Sequence, residues 1–68
     1  MMVRIRLKEI LQEKDISMSK LSRMSDISFS TISRIINDKN YSPTISTLER
    51  IARALDIPIS DLYEEIEK

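Results

Sequence analysis

Cysteine, histidine, glycine and tryptophan are all absent from this 68-residue sequence, and proline occurs only twice. Without cysteine the chain has neither a disulfide framework nor a thiolate metal site, and without histidine it lacks the commonest general base and metal ligand. Strand-rich domains of this size usually need glycine in their tight turns, so its absence favours helices. We therefore expect no catalytic site, no metal and no cofactor.

Long apolar runs are missing as well. The longest has two or three residues, far short of the roughly 20 that a membrane-spanning helix requires. No basic leader followed by an apolar stretch opens the chain. A chain this short buries only about 60% of its unfolded surface and forms one small domain. We expect a single cytoplasmic domain over residues 1–68 that does not contact a membrane, and no pattern indicates a small-molecule ligand.

Charge is balanced overall, with 11 basic and 11 acidic residues, but it is unevenly distributed. Residues 1–40 carry eight basic and five acidic side chains, a net charge of +3, and residues 41–68 carry the compensating −3. This asymmetry is typical of a chain with a polyanion-binding side and an acidic side, although many neutral domains also show it.

Hydrophobic spacing predicts five short helices and no sheet. Ser17, Ser28, Thr44 and Ser60 stand where helix N-caps are expected, and Asp56-Ile57-Pro58 ends the fourth helix. The alternation of apolar and polar residues from Val3 to Leu7 leaves a short initial strand as an alternative. The five predicted helices are Val3–Lys14, Met18–Ser25, a third ending at about Asn37, a fourth containing Ile45, Leu48, Ile51, Ala52 and Leu55 on one face, and Asp61–Glu67.

The most informative stretch runs from Ser17 to Asn37. It contains two capped helices separated by a three-residue turn, with the small Ser22 where the helices cross. This spacing is typical of a helix-turn-helix, in which the second helix presents a polar outer face. The residues expected to face inward are Leu21, Met24, Ile32, Ile35 and Ile36.

From about Leu7 to Leu62 the sequence resembles the Cro/CI-type helix-turn-helix family of bacterial and phage repressors. The matching positions include Leu7, Leu11, Leu21, Ser22, Ile27-Ser28, Ser30 to Ile35, Asn37, Pro43 through Thr47-Leu48, Ile51-Ala52 and Ala54-Leu55. The resemblance implies an all-α, five-helix, lambda-repressor-like domain with its motif at about 17–37. It also implies sequence-specific binding of double-stranded DNA by a small transcriptional regulator, a repressor.

Two departures from the family pattern concern glycine. The family usually has glycine in the turn and again after the recognition helix, where this sequence has Asp26 and Asp38. We expect a left-handed backbone at both positions, because aspartate tolerates that conformation better than most residues other than glycine.

By the same resemblance the third helix, 29–37, is the recognition helix, and Phe29, Ser30, Ser33 and Arg34 contact base edges. The Arg34 guanidinium can pair with guanine through two hydrogen bonds. The alternative is a solvated or salt-bridged surface arginine. Phe29 either touches a thymine methyl group or packs towards Ile32, Ile36 and Tyr41.

Contacts to DNA phosphates are expected at helix N-termini and in the loop after the recognition helix. Hydroxyl groups and free N–H groups at a helix N-terminus bind phosphate, although the same residues can act only as caps. The loop residues can also form an ordinary polar loop. The predicted phosphate contacts are Ser17, Met18, Ser28, Thr31, Lys39, Asn40 and Tyr41.

The C-terminal segment is the predicted homodimer interface. Leu62, Tyr63 and Ile66 give it more apolar surface than one small core absorbs, and Ile5 lies away from the apolar stripe of the first helix. Alternatively, Leu62 and Ile66 only close the monomer core. An antitoxin-like or adaptor module, which uses the same fold to bind a protein, remains the alternative function, because zero net charge is compatible with it.

Overall fold

A computed structural model describes residues 2–38 and 40–66, with the backbone alone at 2, 3, 65 and 66. Four α-helices lie between two short strands, and a 3₁₀ helix precedes the second strand. The elements are β1 (Met2–Ile5), α1 (Leu7–Lys14), α2 (Met18–Ser25), α3 (Phe29–Asn37), α4 (Ile45–Leu55), the 3₁₀ helix (Ile59–Leu62) and β2 (Tyr63–Ile66). None of the helices described is long and apolar enough to cross a membrane.

Three of the helices end on the same local sequence, an aspartate followed by isoleucine. Asp15, Asp26 and Asp56 all adopt the left-handed conformation, with φ between 56° and 58°. After α1 and α4 the next N–H, of Ile16 and Ile57 respectively, donates back into the last turn of the helix, which satisfies a terminal carbonyl. The left-handed backbone expected at Asp26 is therefore confirmed, and a left-handed aspartate also ends α1 and α4.

The core takes side chains from every helical element. Leu7, Leu21, Ile32, Ile51 and Leu62 are at most 1% exposed and come from α1, α2, α3, α4 and the 3₁₀ helix in turn. Burial of a large aliphatic side chain stabilises the fold by about 1.5–3 kcal/mol, so these five residues hold the helices together. The remaining buried apolar residues are Ile10, Leu11, Ile27, Ile35, Leu48, Ala52 and Leu55.

The two chain ends form a sheet, which corrects the expectation of five helices and no sheet. β1 and β2 are antiparallel, with Arg4 opposite Glu64 and Ile5 opposite Tyr63. A helix over 61–67 would be too short to be stable alone, whereas pairing with β1 satisfies its backbone groups directly. The alternating residues from Val3 to Leu7 therefore belong to a strand and its junction with α1, as the alternative interpretation had it.

Several smaller expectations are also wrong. Met24 and Ile45, predicted to face inward, are 42% and 67% exposed. Ser60 caps no helix, because the 3₁₀ helix begins at Ile59 and has no side-chain cap. Asp38 has φ −108°, an extended rather than left-handed conformation. Ile5 is half-buried against the core, so it needs no partner chain to explain it.

Candidate nucleic-acid interface

Hydrogen bonds from small side chains hold the turn between α2 and α3 and the last turn of α2. The Ser22 hydroxyl donates to the carbonyl of Ile27 at 2.6 Å, and the buried Ser25 hydroxyl donates to the carbonyl of Leu21 at 2.7 Å. Asp26 supplies the left-handed residue that lets the chain reverse within three residues. Ile27, the middle residue of the turn, is buried and anchors it to the core. The turn, together with the core that Leu21 and Ile32 share, holds α2 and α3 in their relative orientation.

The N-terminus of α3 carries a cluster of hydroxyl groups. Ser28 is the N-cap, and its Oγ accepts the Thr31 N–H at 3.3 Å. The same oxygen lies 2.8 Å from the Thr31 hydroxyl and 3.3 Å from that of Ser30. The first N–H groups of a helix have no intrahelical carbonyl to bond. Those of Phe29 and Ser30 therefore stand beside three hydroxyls, an arrangement that suits an anion.

The N-terminus of α2 is built in the same way. Ser17 is its N-cap, and its Oγ accepts the Lys20 N–H at 3.1 Å. Met18 is half-buried and packs against the core, so at this position the backbone N–H is the group suited to a phosphate. A shallow depression that includes Ser17, Met18 and Ile36 places this end of α2 beside the C-terminal half of α3.

The four side chains expected to read bases all reach the surface of α3, although to different extents. Ser30 and Arg34 are exposed, Ser33 is half-buried, and Phe29 is 46% exposed. Nearly half of the Phe29 surface is accessible, so part of its ring is available to a ligand and part is covered by the protein. The Ser33 hydroxyl accepts a hydrogen bond from the Asn37 amide at 3.2 Å and keeps its own proton to donate.

Arg34 makes a contact that its sequence position did not indicate. Its Cζ lies 4.5 Å from the centre of the Tyr41 ring. Among the residues described, the ion pairs belong to Arg4, so Arg34 has no carboxylate partner there. The expected alternatives, a solvated or a salt-bridged arginine, are both incomplete, because the guanidinium is exposed yet held against an aromatic ring.

The loop after α3 is ordered by Asp38. Its carboxylate accepts the Asn40 N–H at 3.0 Å, and its carbonyl accepts the Tyr41 N–H at 3.1 Å. Asn40 is exposed, whereas Tyr41 is half-buried against the core. Lys39 lies outside the described residues, and its phosphate contact stays a prediction.

The ion pairs found among the described residues lie where the two chain ends meet. Arg4 Nε donates to Glu64 Oε1 at 2.7 Å, and Arg4 Nη2 donates to Glu9 Oε2. These bonds raise the pKa of Arg4. The pKa of Glu9 is lowered, first by its own backbone N–H in the first turn of α1 and then by Arg4. Arg4 therefore joins β1 to β2 and α1.

The predicted dimer residues are separated by the structure. Leu62 is 0% exposed and belongs to the core, so it offers no surface to a partner, whereas Tyr63 is 36% exposed. The short helix expected to carry Tyr63 and Ile66 is instead the strand β2. The side chain of Ile66 lies outside the described part of the chain.

Sequence reasoning missed two features of this surface. Asn37 lies one turn after Ser33 on α3 and bonds its hydroxyl, a pair that i to i+4 spacing could have indicated. The contact between Arg34 and Tyr41 joins a helix to a loop of irregular conformation, and sequence spacing gives no signal for it.

Comparison with known proteins agrees with this geometry. Residues 6–68 match the Cro/C1-type HTH DNA-binding domain. The chain is also similar to the HTH-type transcriptional regulator PuuR of Escherichia coli (strain K12) and to that of Shigella flexneri, each 36% identical over 63 residues. That alignment covers 93% of this chain but 34% of each relative, so the chain spans about a third of their length. The chain belongs to the family of Cro/C1-type HTH DNA-binding domains.

Proposed function

We propose that this chain regulates transcription by binding a specific sequence of double-stranded DNA and that it acts as a repressor. The observation that carries the proposal is the exposed face of α3, which combines Phe29, Ser30, Ser33 and Arg34 behind a hydroxyl-rich N-terminus. A helix of this width fits the major groove, where each base pair presents a distinct pattern of donors and acceptors. A domain that occupies a promoter can repress simply by excluding the polymerase.

In this proposal the capped helix ends position the protein and α3 reads the sequence. The N–H groups at the starts of α2 and α3, with Ser17, Ser28 and Thr31, receive phosphates on either side of the groove. Asn40 and Lys39 extend these contacts along the backbone. Such contacts fix the register of α3 without carrying sequence information.

The base-reading role falls most sharply on Arg34. Its guanidinium is exposed and has no ion-pair partner among the described residues, so no carboxylate need be displaced when it binds. A two-bond contact to guanine O6 and N7 contributes about 1–3 kcal/mol of discrimination. Arg34→Ala should therefore relax the preference at one base pair of each half-site by about 5- to 150-fold.

The proposed active form is a homodimer. One copy offers few basic contacts, and specific affinities of about 10⁻⁸ M or tighter usually need a larger interface. In the proposed dimer a twofold axis sets the two α3 helices about 34 Å apart, one turn of DNA, in successive major grooves. Tyr63 on β2 is the exposed apolar residue that we assign to this interface.

Selection of duplexes from a random DNA pool tests the proposal. We expect a recovered inverted repeat, bound with an affinity whose logarithm falls linearly with the logarithm of salt concentration. Arg34→Ala should recover a site that is degenerate at one position in each half, while Lys39→Ala should weaken all sequences equally and reduce the salt slope by about one. Recovery of no common sequence would reject specific DNA recognition and favour the protein-binding alternative.

A further inference from the structure

Tyr41 lies under Arg34 in an arrangement that the backbone holds in place. The Asp38 N–H donates to the Arg34 carbonyl at 2.9 Å, and the Tyr41 N–H donates to the Asp38 carbonyl at 3.1 Å. Two successive hydrogen bonds therefore connect the two residues. The Tyr41 side chain is half-buried against the core, which further restricts its ring.

The contact places Cζ of the Arg34 guanidinium over the Tyr41 ring. An aromatic ring attracts a cation placed over it, and Arg34 Cζ stands 4.5 Å from the ring centre, within the usual limit of about 6 Å. The five N–H donors of arginine point outward in the guanidinium plane. When the guanidinium lies parallel to the ring, these donors stay free at its edge, so contact with Tyr41 and pairing with guanine are compatible.

We propose that Tyr41 is a positioning residue for base recognition, because it orients the guanidinium of Arg34 before DNA binds. This inference rests on the proposed function and deepens it. A free arginine side chain loses considerable rotamer entropy when it is fixed, and a platform that restricts it beforehand reduces that loss on binding. Tyr41 then acts on the sequence preference at the base pair that Arg34 reads, and not on affinity for DNA in general.

This role differs from the phosphate contact that sequence position suggests for Tyr41. A phosphate contact needs the phenolic hydroxyl and weakens binding to every sequence. A stacking role needs only the aromatic ring, and its loss lowers the sequence preference at one base pair. Tyr41→Phe removes the hydroxyl and keeps the ring, whereas Tyr41→Leu removes both, so the pair of variants separates the two roles.

The test is a double-mutant cycle measured by fluorescence anisotropy on the selected site. The readout is the affinity ratio between that site and one changed at the base pair where Arg34→Ala relaxes the preference. Tyr41→Leu should reduce this ratio by about two- to fivefold, as expected for an exposed cation–π contact, and leave the ratios at other base pairs unchanged. Tyr41→Phe should keep the ratio. In an Arg34→Ala background, Tyr41→Leu should leave the affinity ratio at that base pair unchanged.

Three results would overturn the inference. Equal weakening on all sequences by Tyr41→Leu, with a fall in melting temperature, would show a structural role. Loss of affinity on all sequences by Tyr41→Phe would show a phosphate contact. An unchanged ratio for Tyr41→Leu beside a relaxed one for Arg34→Ala would refute positioning and leave the proposed function standing. If the wild-type chain itself prefers no base at any position, the proposed function and the inference about Tyr41 are both refuted.

Discussion

Replacement of Asp26 by glycine, compared with the same change at Asp38, tests the account of the turn. Asp26 has φ 58° and ψ 35°, in the left-handed region, and no side-chain hydrogen bond of its carboxylate is found among the residues described. Asp38 has φ −108°, and its carboxylate accepts the Asn40 N–H. One substitution should therefore have opposite effects at two positions where the family usually has glycine.

The backbone angles set the expected changes in the free energy of unfolding. The left-handed conformation costs an ordinary residue about 1–2 kcal/mol, and aspartate somewhat less. Glycine removes that cost but makes the unfolded chain more flexible, which costs about 0.4–1 kcal/mol. Asp26→Gly should thus be neutral or stabilise by up to about 1 kcal/mol, and Asp26→Val should destabilise by about 1–2 kcal/mol. At Asp38 there is no left-handed cost for glycine to remove, so Asp38→Gly should destabilise the fold by about 0.5–1 kcal/mol.

Urea denaturation followed by circular dichroism measures these differences, and thermal melting provides a second reading, since 1 kcal/mol shifts the midpoint of so small a domain by about 4–8 °C. Asp38→Gly is the matched control. Equal stability of the glycine and valine variants at position 26 would refute the reasoning. So would an Asp38→Gly variant that is as stable as Asp26→Gly.

Four further results are expected. Leu62→Ala should lower the free energy of unfolding by about 2–5 kcal/mol in a denaturant titration, since Leu62 is fully buried, and a value near zero would contradict its place in the core. Ser28→Ala should destabilise by about 0.5–2 kcal/mol and weaken binding to all duplexes; a loss of stability without a loss of affinity would reject the phosphate role. The pKa of Glu9 is lowered in the folded state, so its stabilisation is present above its ordinary pKa of 4.5 and is lost as pH falls through the folded value. The stability difference between the wild type and Glu9→Gln should accordingly vanish in acid, and a constant difference across pH would show that the negative charge of the Glu9 carboxylate does not cause it. Tyr63→Glu should weaken binding to a palindromic site far more than it changes the circular dichroism. If the variant and the wild type form complexes with DNA of the same sedimentation coefficient, Tyr63 is not part of the proposed interface.

The helix-turn-helix is predictable from sequence because its signals are local. Ser17 and Ser28 are caps where expected, and α2 and α3 have the predicted bounds. A cap, a turn residue and an apolar stripe all act within a few residues of one another. The same locality explains why the apolar spacing predicts the buried residues Leu21, Ile32 and Ile35.

The chain ends and the finer geometry of the site depend on non-local contacts. Arg4 and Glu64 are 60 positions apart, and the strand pairing that places them opposite each other makes one ambiguous segment and one predicted helix into strands. Asp26 and Asp38 are the same residue type in similar positions, but the chain leaves α3 in an extended conformation at Asp38. The stacking of Arg34 on Tyr41 likewise requires the path of a loop that sequence patterns do not specify.

The central claim, that α3 reads base edges in the major groove through Arg34, can be tested by changing one atom of the DNA. In 7-deazaguanine a carbon replaces N7, an acceptor that faces the major groove, while Watson–Crick pairing and the minor groove are left intact. Placed at the guanine assigned to Arg34, it should weaken binding of the wild-type chain severalfold and leave that of Arg34→Ala unchanged. A wild-type affinity that is indifferent to 7-deazaguanine at every position of the selected site would contradict the account.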